Sequence, residues 1–159
     1  MKRIASNRKL LQVEEEISLA QLKTTYRKLV KEWHPDKFQD GDALKATAEI
    51  KSKSIIDAYH FLVSISPETH ALNTEEYAVT TNTSGIDDFQ YKGQTLKITF
   101  QDGSEYEYFG VQKSMYNKLI NSPTQARFAR RHICHSHVFR KVAKAMVENN
   151  KINIINRII

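Results

Sequence analysis

Apolar side chains recur at helical spacing between Leu19 and Trp33, where Leu22, Tyr26, Leu29, Val30 and Trp33 share one face. On an adjacent face Lys23, Arg27 and Lys31 follow one another every four residues and make a positive stripe open to solvent. Ser18 stands at the N-cap position of this helix. Pro35 lacks an N–H and disfavours helical geometry in the residue before it, so the helix is expected to stop near Trp33 or His34. A second helical pattern places Ile55, Ala58, Tyr59 and Leu62 on one face and ends at Ser66-Pro67. Upstream, Leu10, Leu11 and Val13 form a short apolar cluster ahead of the acidic Glu14-Glu15-Glu16. The expected order is a short helix, a basic helix, an exposed corner at His34-Pro35-Asp36, and an antiparallel helix.

From residue 86 the period changes from helical to alternating. Ile86–Tyr91, Thr95–Phe100 and Glu105–Phe109 read as three short strands, separated by Lys92-Gly93 and Asp102-Gly103. A two-residue loop at Asp102-Gly103 would pair Phe100 with Glu105 and mix apolar with charged side chains. A three-residue loop with Gly103 left-handed instead puts Tyr106 and Tyr108 on the face of Leu96, Ile98 and Phe100, and is preferred. Val111, Met115, Leu119 and Ile120 then mark an amphipathic helix ending before Pro123. The stretch 67–85 contains the small-polar run Thr80-Thr81-Asn82-Thr83-Ser84-Gly85 and is read as a linker. Toward the C-terminus, Val138, Val142, Ala145 and Met146 suggest a helix, followed by an apolar end at Ile152, Ile154, Ile155, Ile158 and Ile159. The expected fold class is α+β, with helical residues 1–66, linker 67–85, a three-stranded antiparallel sheet with helices over 86–138, and tail 139–159.

Composition narrows the classes. Of 159 residues, 26% are charged and 40% hydrophobic, which describes a globular chain, not a disordered one. No apolar run reaches the length of a membrane span, and Met1-Lys2-Arg3 leads into no signal core. A single cysteine, Cys134, precludes an internal disulfide and fits a reducing cytoplasm. The net charge of +6 is unevenly placed: from Asn121 onward there are eight Lys or Arg against Glu148 alone. His132, Cys134, His135 and His137 fall close together, but structural zinc wants ligand pairs separated by a loop, and no second pair stands at such spacing. Nor does an Asp or Asn stand where it would orient a base beside Cys134, so neither a metal centre nor catalysis is expected. No cofactor is implied, and the oligomeric state is left open.

At the corner, an imidazole, a rigid ring and a carboxylate displayed together can recognise a partner without doing chemistry on it. A helix can also simply end in such a tripeptide beside a solvated basic stripe. The surroundings favour recognition. The short helix, the basic helix, His34-Pro35-Asp36 and the following helix with Ala58-Tyr59-His60-Phe61-Leu62 together resemble the J-domain of DnaJ-like co-chaperones, over roughly residues 5–66. The resemblance implies contact with an acidic region of a DnaK-type chaperone and stimulation of its ATP hydrolysis. The contacts carried over are Lys23, Arg27, Lys28 and Lys31 on the helix, with His34, Pro35, Asp36 and Lys37 in the loop. Tyr26, on the apolar arc, is assigned to packing. The chain departs from the family at Asn7 and Arg8, where aromatic residues are usual, at Gln12 in place of glycine, and at Pro67-Glu68-Thr69-His70 in place of a basic fourth helix.

The second region, from about Ser84 to Val138, resembles the KTSC domain, found alone in bacteria and at the C-terminus of some lysyl-tRNA synthetases. Tyr106-Glu107-Tyr108-Phe109-Gly110-Val111 and the later run Pro123–Ile133 carry the likeness. Its company with tRNA synthetases implies RNA or tRNA as a partner, and basic residues interleaved with Phe128 and His132 suit phosphate contact and stacking. The candidate RNA contacts are Arg127, Arg130 and Arg131, with Tyr106 and Tyr108, although the inward register favours a core role for both tyrosines, and Phe128 is likewise read as core. The functional expectation is a non-enzymatic co-chaperone whose C-terminal module supplies targeting, client or RNA contact. The alternatives are an RNA-binding protein with a J-like scaffold and, third, a metal-dependent hydrolase around His132–His137.

Overall fold

A computed structural model describes residues 1–142 of the chain. They divide into two compact units, one built from Lys2–Ser66 and the other beginning at Pro67. In the first unit α1 (Lys2–Leu11), α2 (Leu19–Glu32) and α3 (Ala43–Ile65) pack around Leu11, Leu22, Tyr26, Val30, Ile55 and Ile56. Ser18 caps α2 through a reciprocal box: its hydroxyl accepts from the Gln21 N–H, and the Gln21 side chain accepts from the Ser18 N–H. Such a cap is worth about 1 kcal/mol to the helix it starts. Helix α2 stops at Trp33, where Pro35 was expected to stop it.

The end of α1 resolves one departure from the family pattern. Gln12 has φ of 57°, and two hydrogen bonds close the turn, Gln12 N–H to the Lys9 carbonyl and Val13 N–H to the Arg8 carbonyl. This is the left-handed C-terminal cap that glycine usually fills, here adopted by a residue with a Cβ. The left-handed conformation costs a non-glycine residue about 1–2 kcal/mol, part of which glycine would lose again as backbone entropy. Gln12→Gly is therefore expected to stabilise the helical unit by roughly 0.5–1 kcal/mol, a rise of about 2–8 °C in melting temperature, read by calorimetry on the full chain. A fall in melting temperature would show that the Gln12 side chain makes a compensating contact.

The second unit is a four-stranded antiparallel sheet in the order β1 (Ile86–Lys92), β2 (Thr95–Phe100), β3 (Glu105–Phe109), β4 (Val138–Lys141). Helices α4 (Pro67–Leu72), α5 (Thr74–Thr83), α6 (Lys113–Ile120) and α7 (Gln125–His132) belong to the same unit. The β2–β3 register pairs Ile98 with Tyr106 and Leu96 with Tyr108, and Gly103 has φ of 88°, as the three-residue loop requires. A bulge between Ile86 and Asp88 shifts the register of β1, so that Ile86 packs on the same core as Phe89 and Tyr91. That core holds Leu96, Ile98, Phe100, Tyr106 and Tyr108 from the sheet, closed by Tyr77, Leu119, Ala129 and Ile133 from the helices and the turn after them.

Two expectations are corrected. Residues 67–83 are not a linker: they form α4 and α5 and supply Tyr77, Thr80 and Thr81 to the interior. The sheet has four strands, not three, because Val138–Lys141 pairs with β3 instead of starting a helix with Val142. Arg140 stands across from Glu107 and donates to its carboxylate at 2.7 Å, which fixes β4 in register. The remainder of the expected helix, at Ala145 and Met146, and the isoleucine-rich end lie outside the described residues.

Candidate functional site

The corner between α2 and α3 is a single 3-10 turn, Pro35–Lys37, entered through His34. Pro35 sits at its first position, where a missing N–H costs nothing and a fixed φ is already suitable. The imidazole of His34 turns inward, with only 13% of its side chain exposed, and its Nδ1 accepts the Asp36 N–H at 3.2 Å. A ring nitrogen that accepts carries no proton, so the neutral ring holds its hydrogen on Nε2. The Asp36 carboxylate lies 3.6 Å from the same Nδ1, too far for a hydrogen bond, and is 88% exposed. The three side chains are thus not equally displayed: Asp36 faces solvent, and His34 serves as the internal cap that presents it.

Helix α3 braces this corner. The Ser52 hydroxyl, itself buried, donates to the Trp33 carbonyl at the end of α2. The Lys51 ammonium lies 3.7 Å from the centre of the Trp33 ring, a cation–π contact. Along α2, Lys23, Arg27, Lys28 and Lys31 are all exposed, as is Lys37 in the loop. Tyr26 is buried and stacked on Tyr59 with ring centres 4.0 Å apart, so it packs the two helices together. Burial, with Tyr59 adding to it, pushes the Tyr26 hydroxyl up to about 12. The result is an exposed carboxylate at the corner with several exposed cations on the helix leading into it.

In the sheet unit the candidate contacts separate. Tyr106 and Tyr108 are buried to 2% and 0% exposure, so neither can offer a ring to a base, and the expectation that they contact RNA is corrected. Burial raises both hydroxyls in pKa. Arg127 and Arg131 are exposed on α7, and Arg130 donates from Nη1 to the Asn82 carbonyl at 3.1 Å. Phe128 packs against the core and lies 4.6 Å from the His132 ring. Two of the C-terminal cations are paired with acids, Arg140 with Glu107 and Lys141 with Glu76, so positive surface on α7 comes from its own arginines.

The histidines around Cys134 do not converge. Cys134 is buried beneath the Tyr108 hydroxyl, His137 Nδ1 lies 3.3 Å from the Ile133 carbonyl, and His132 leans on Phe128. Burial raises the Cys134 thiol against the opposing pull of Tyr108, Tyr77 and Arg130, which keeps it a thiol and not a reactive thiolate. Among the described residues no three His, Cys, Asp or Glu side chains gather as a metal ion would need. No described helix is long and apolar enough to cross a membrane.

Comparison with known proteins matches two domain families to the chain. The DnaJ domain model matches residues 9–69 and the KTSC domain model matches residues 82–137. DnaJ homolog subfamily C member 16 of Pongo abelii is 30% identical over 135 residues, 84% of this chain but 16% of that protein. The Homo sapiens protein of the same description matches at the same identity and coverage. DnaJ protein homolog XDJ1 of Saccharomyces cerevisiae is 39% identical over 61 residues, 38% of this chain and 13% of that protein. The chain therefore spans less than a fifth of each of these relatives. Its helical unit carries a DnaJ domain with His34-Pro35-Asp36 at the corner, and its sheet unit carries a KTSC domain.

Proposed function

We propose that this protein is a co-chaperone that docks on a DnaK-type chaperone through Asp36 and the basic face of α2, stimulates ATP hydrolysis there, and performs no catalysis of its own. The single observation that carries the reading is the pairing of an exposed, internally capped Asp36 with solvent-facing Lys23, Arg27, Lys28 and Lys31 within one braced hairpin. Complementary charge would speed the encounter with an acidic partner surface and orient it, and rising ionic strength would slow it. The KTSC domain would supply targeting, client or RNA contact, and the work would take place in a reducing cytoplasm. A second reading is an RNA- or tRNA-binding protein with a J-like scaffold; the arginines of α7 favour it, and both can hold at once.

The test is single-turnover ATP hydrolysis by a bacterial DnaK with the full chain added. Acceleration that saturates with the chain and weakens with salt is expected. Arg27→Glu, on the exposed face, is expected to reduce the apparent affinity by about tenfold or more, because a like charge set against an acidic surface costs more than about 1.4 kcal/mol. No acceleration at any concentration would overturn the docking reading.

A further inference from the structure

Between the end of α5 and the start of α7 lies an open recess of about 380 Å3, contained wholly within the sheet unit. Its walls include Asn82, Thr83 and Ser84 on one side and Gln125, Arg127 and Arg130 on the other. Among the described residues the charged side chains lining it are the two guanidinium groups, and no carboxylate joins them. The nearby Asp102 is occupied elsewhere: one oxygen accepts from the Thr80 hydroxyl at 2.7 Å and the other from the Ser104 N–H at 2.8 Å. Burial works against the Asp102 charge, but these hydrogen bonds outweigh it and hold the carboxyl below its ordinary pKa.

Two features make the recess more than a solvated basic patch. Arg130 is held by its bond to the Asn82 carbonyl, so part of its side-chain freedom is already spent while its other N–H donors remain to serve a ligand. Arg127 stands three residues earlier and therefore on the same helical face, a like-charge arrangement that is mildly unfavourable until an anion lies between the two. The hydroxyls of Thr83 and Ser84 and the Gln125 amide line the same space; they donate to the Val79, Gly85 and Ile120 carbonyls respectively, which leaves oxygen lone pairs to accept from the hydroxyls of a sugar. At about 380 Å3 the volume exceeds that of a bare phosphate ion and falls in the range of small-ligand sites.

We propose that this recess binds a phosphate group carried on a ligand of nucleotide size, with Arg127 and Arg130 gripping the phosphate and the polar wall receiving the attached sugar. The proposal does not rest on the docking reading, since it concerns the other unit. Two sources share this chemistry, a free mononucleotide and one nucleotide of a single-stranded RNA.

The experiment is a titration of the 15N-labelled full chain, followed by amide and arginine side-chain NMR signals, with inorganic phosphate, adenosine monophosphate and a single-stranded oligoadenylate RNA in turn. Shifts confined to residues 82–85 and 124–130 are expected with a phosphorylated nucleoside. Arg127→Gln and Arg130→Gln are each expected to weaken binding about tenfold, the loss of one charged hydrogen-bonding partner. An otherwise unchanged spectrum in each variant separates lost contact from lost fold. Lys118→Gln, exposed on α6 and outside the recess, is expected to change affinity less than twofold. Monophosphate binding without RNA binding would support the recess and assign it to free nucleotides; RNA binding at these residues would support it and assign it to a strand. No shift with any of the three would overturn the proposal, as would equal losses in all three variants.

Discussion

His34→Asn is expected to keep most of the stimulated ATP hydrolysis, and His34→Gln to lose nearly all of it. The reason is the position of one acceptor atom. In the folded chain His34 acts through Nδ1, which caps the Asp36 N–H at 3.2 Å. The Oδ1 of asparagine is bonded to Cγ and can stand where Nδ1 stands, forming an Asx turn with the residue two ahead. The Oε1 of glutamine lies one bond further out, nearer to Nε2, and misses the cap. Nε2 itself is buried and has no hydrogen-bond partner among the described residues, an arrangement that costs about 1–3 kcal/mol if its N–H stays unmet. Asparagine keeps the cap on the Asp36 N–H, so His34→Asn is not expected to unfold the hairpin. Asp36→Asn keeps the backbone cap and removes only the exposed charge, and is expected to abolish stimulation while leaving thermal stability within about 0.5 kcal/mol. Single-turnover ATPase rates with melting curves on all three variants decide the matter. If His34→Asn fails as completely as His34→Gln while the Asp36 amide signal stays in place, the imidazole itself meets the partner and the capping role is wrong.

This division of labour within three residues was not legible in the sequence. The tripeptide and its helical flanks mark the corner, because Pro35 and the period of Leu22, Tyr26 and Val30 report directly on backbone geometry. Which of the three side chains faces outward depends on the 3-10 turn, and no spacing rule encodes that. The β2–β3 register was legible for a related reason: only one loop length puts Leu96, Ile98, Tyr106 and Tyr108 on one face. The same inward register removes Tyr106 and Tyr108 from the surface.

Helix α5 was hidden because two of its buried positions are Thr80 and Thr81, which read as polar. Their hydroxyls are satisfied, Thr80 by Asp102 in the β2–β3 loop and Thr81 by the Tyr77 carbonyl one turn back, so the helix buries them without an apolar stripe to announce it. Strand β4 was hidden for a different reason. Its signal is four residues long, and its register is set by Glu107 and by Phe139 stacking between His70 and Tyr77, all distant in sequence. The recess at α7 was half legible: the arginines stood out by charge, but the wall facing them belongs to the stretch read as a linker.

Tyr77→Phe is expected to destabilise the sheet unit by about 2–3 kcal/mol, more than Tyr108→Phe at about 1 kcal/mol, and the double variant by clearly less than their sum. The asymmetry follows from counting protons. The Tyr77 hydroxyl donates to the Cys134 carbonyl at 2.7 Å, which uses its one hydrogen. The 3.0 Å contact between the two hydroxyls must then be Tyr108 donating to Tyr77, with the Cys134 sulfur 3.5 Å from the Tyr108 oxygen. The bonds run from Tyr108 through Tyr77 back to the residue whose sulfur lies against Tyr108, in the buried core. Removing the Tyr77 hydroxyl leaves the Cys134 carbonyl without that donor and the Tyr108 hydroxyl with only the weakly accepting Cys134 sulfur. Removing that of Tyr108 leaves Tyr77 still donating. Because Tyr77 lies on α5 and Cys134 just beyond α7, the same bonds hold the two helices whose ends form the walls of the recess. Urea unfolding followed at the β2 and β3 amide signals gives the three free energies. Additive losses, or a Tyr77→Phe cost below about 0.5 kcal/mol, would mean that the hydroxyls are bonded independently and that packing around Phe139 alone holds α5 in place.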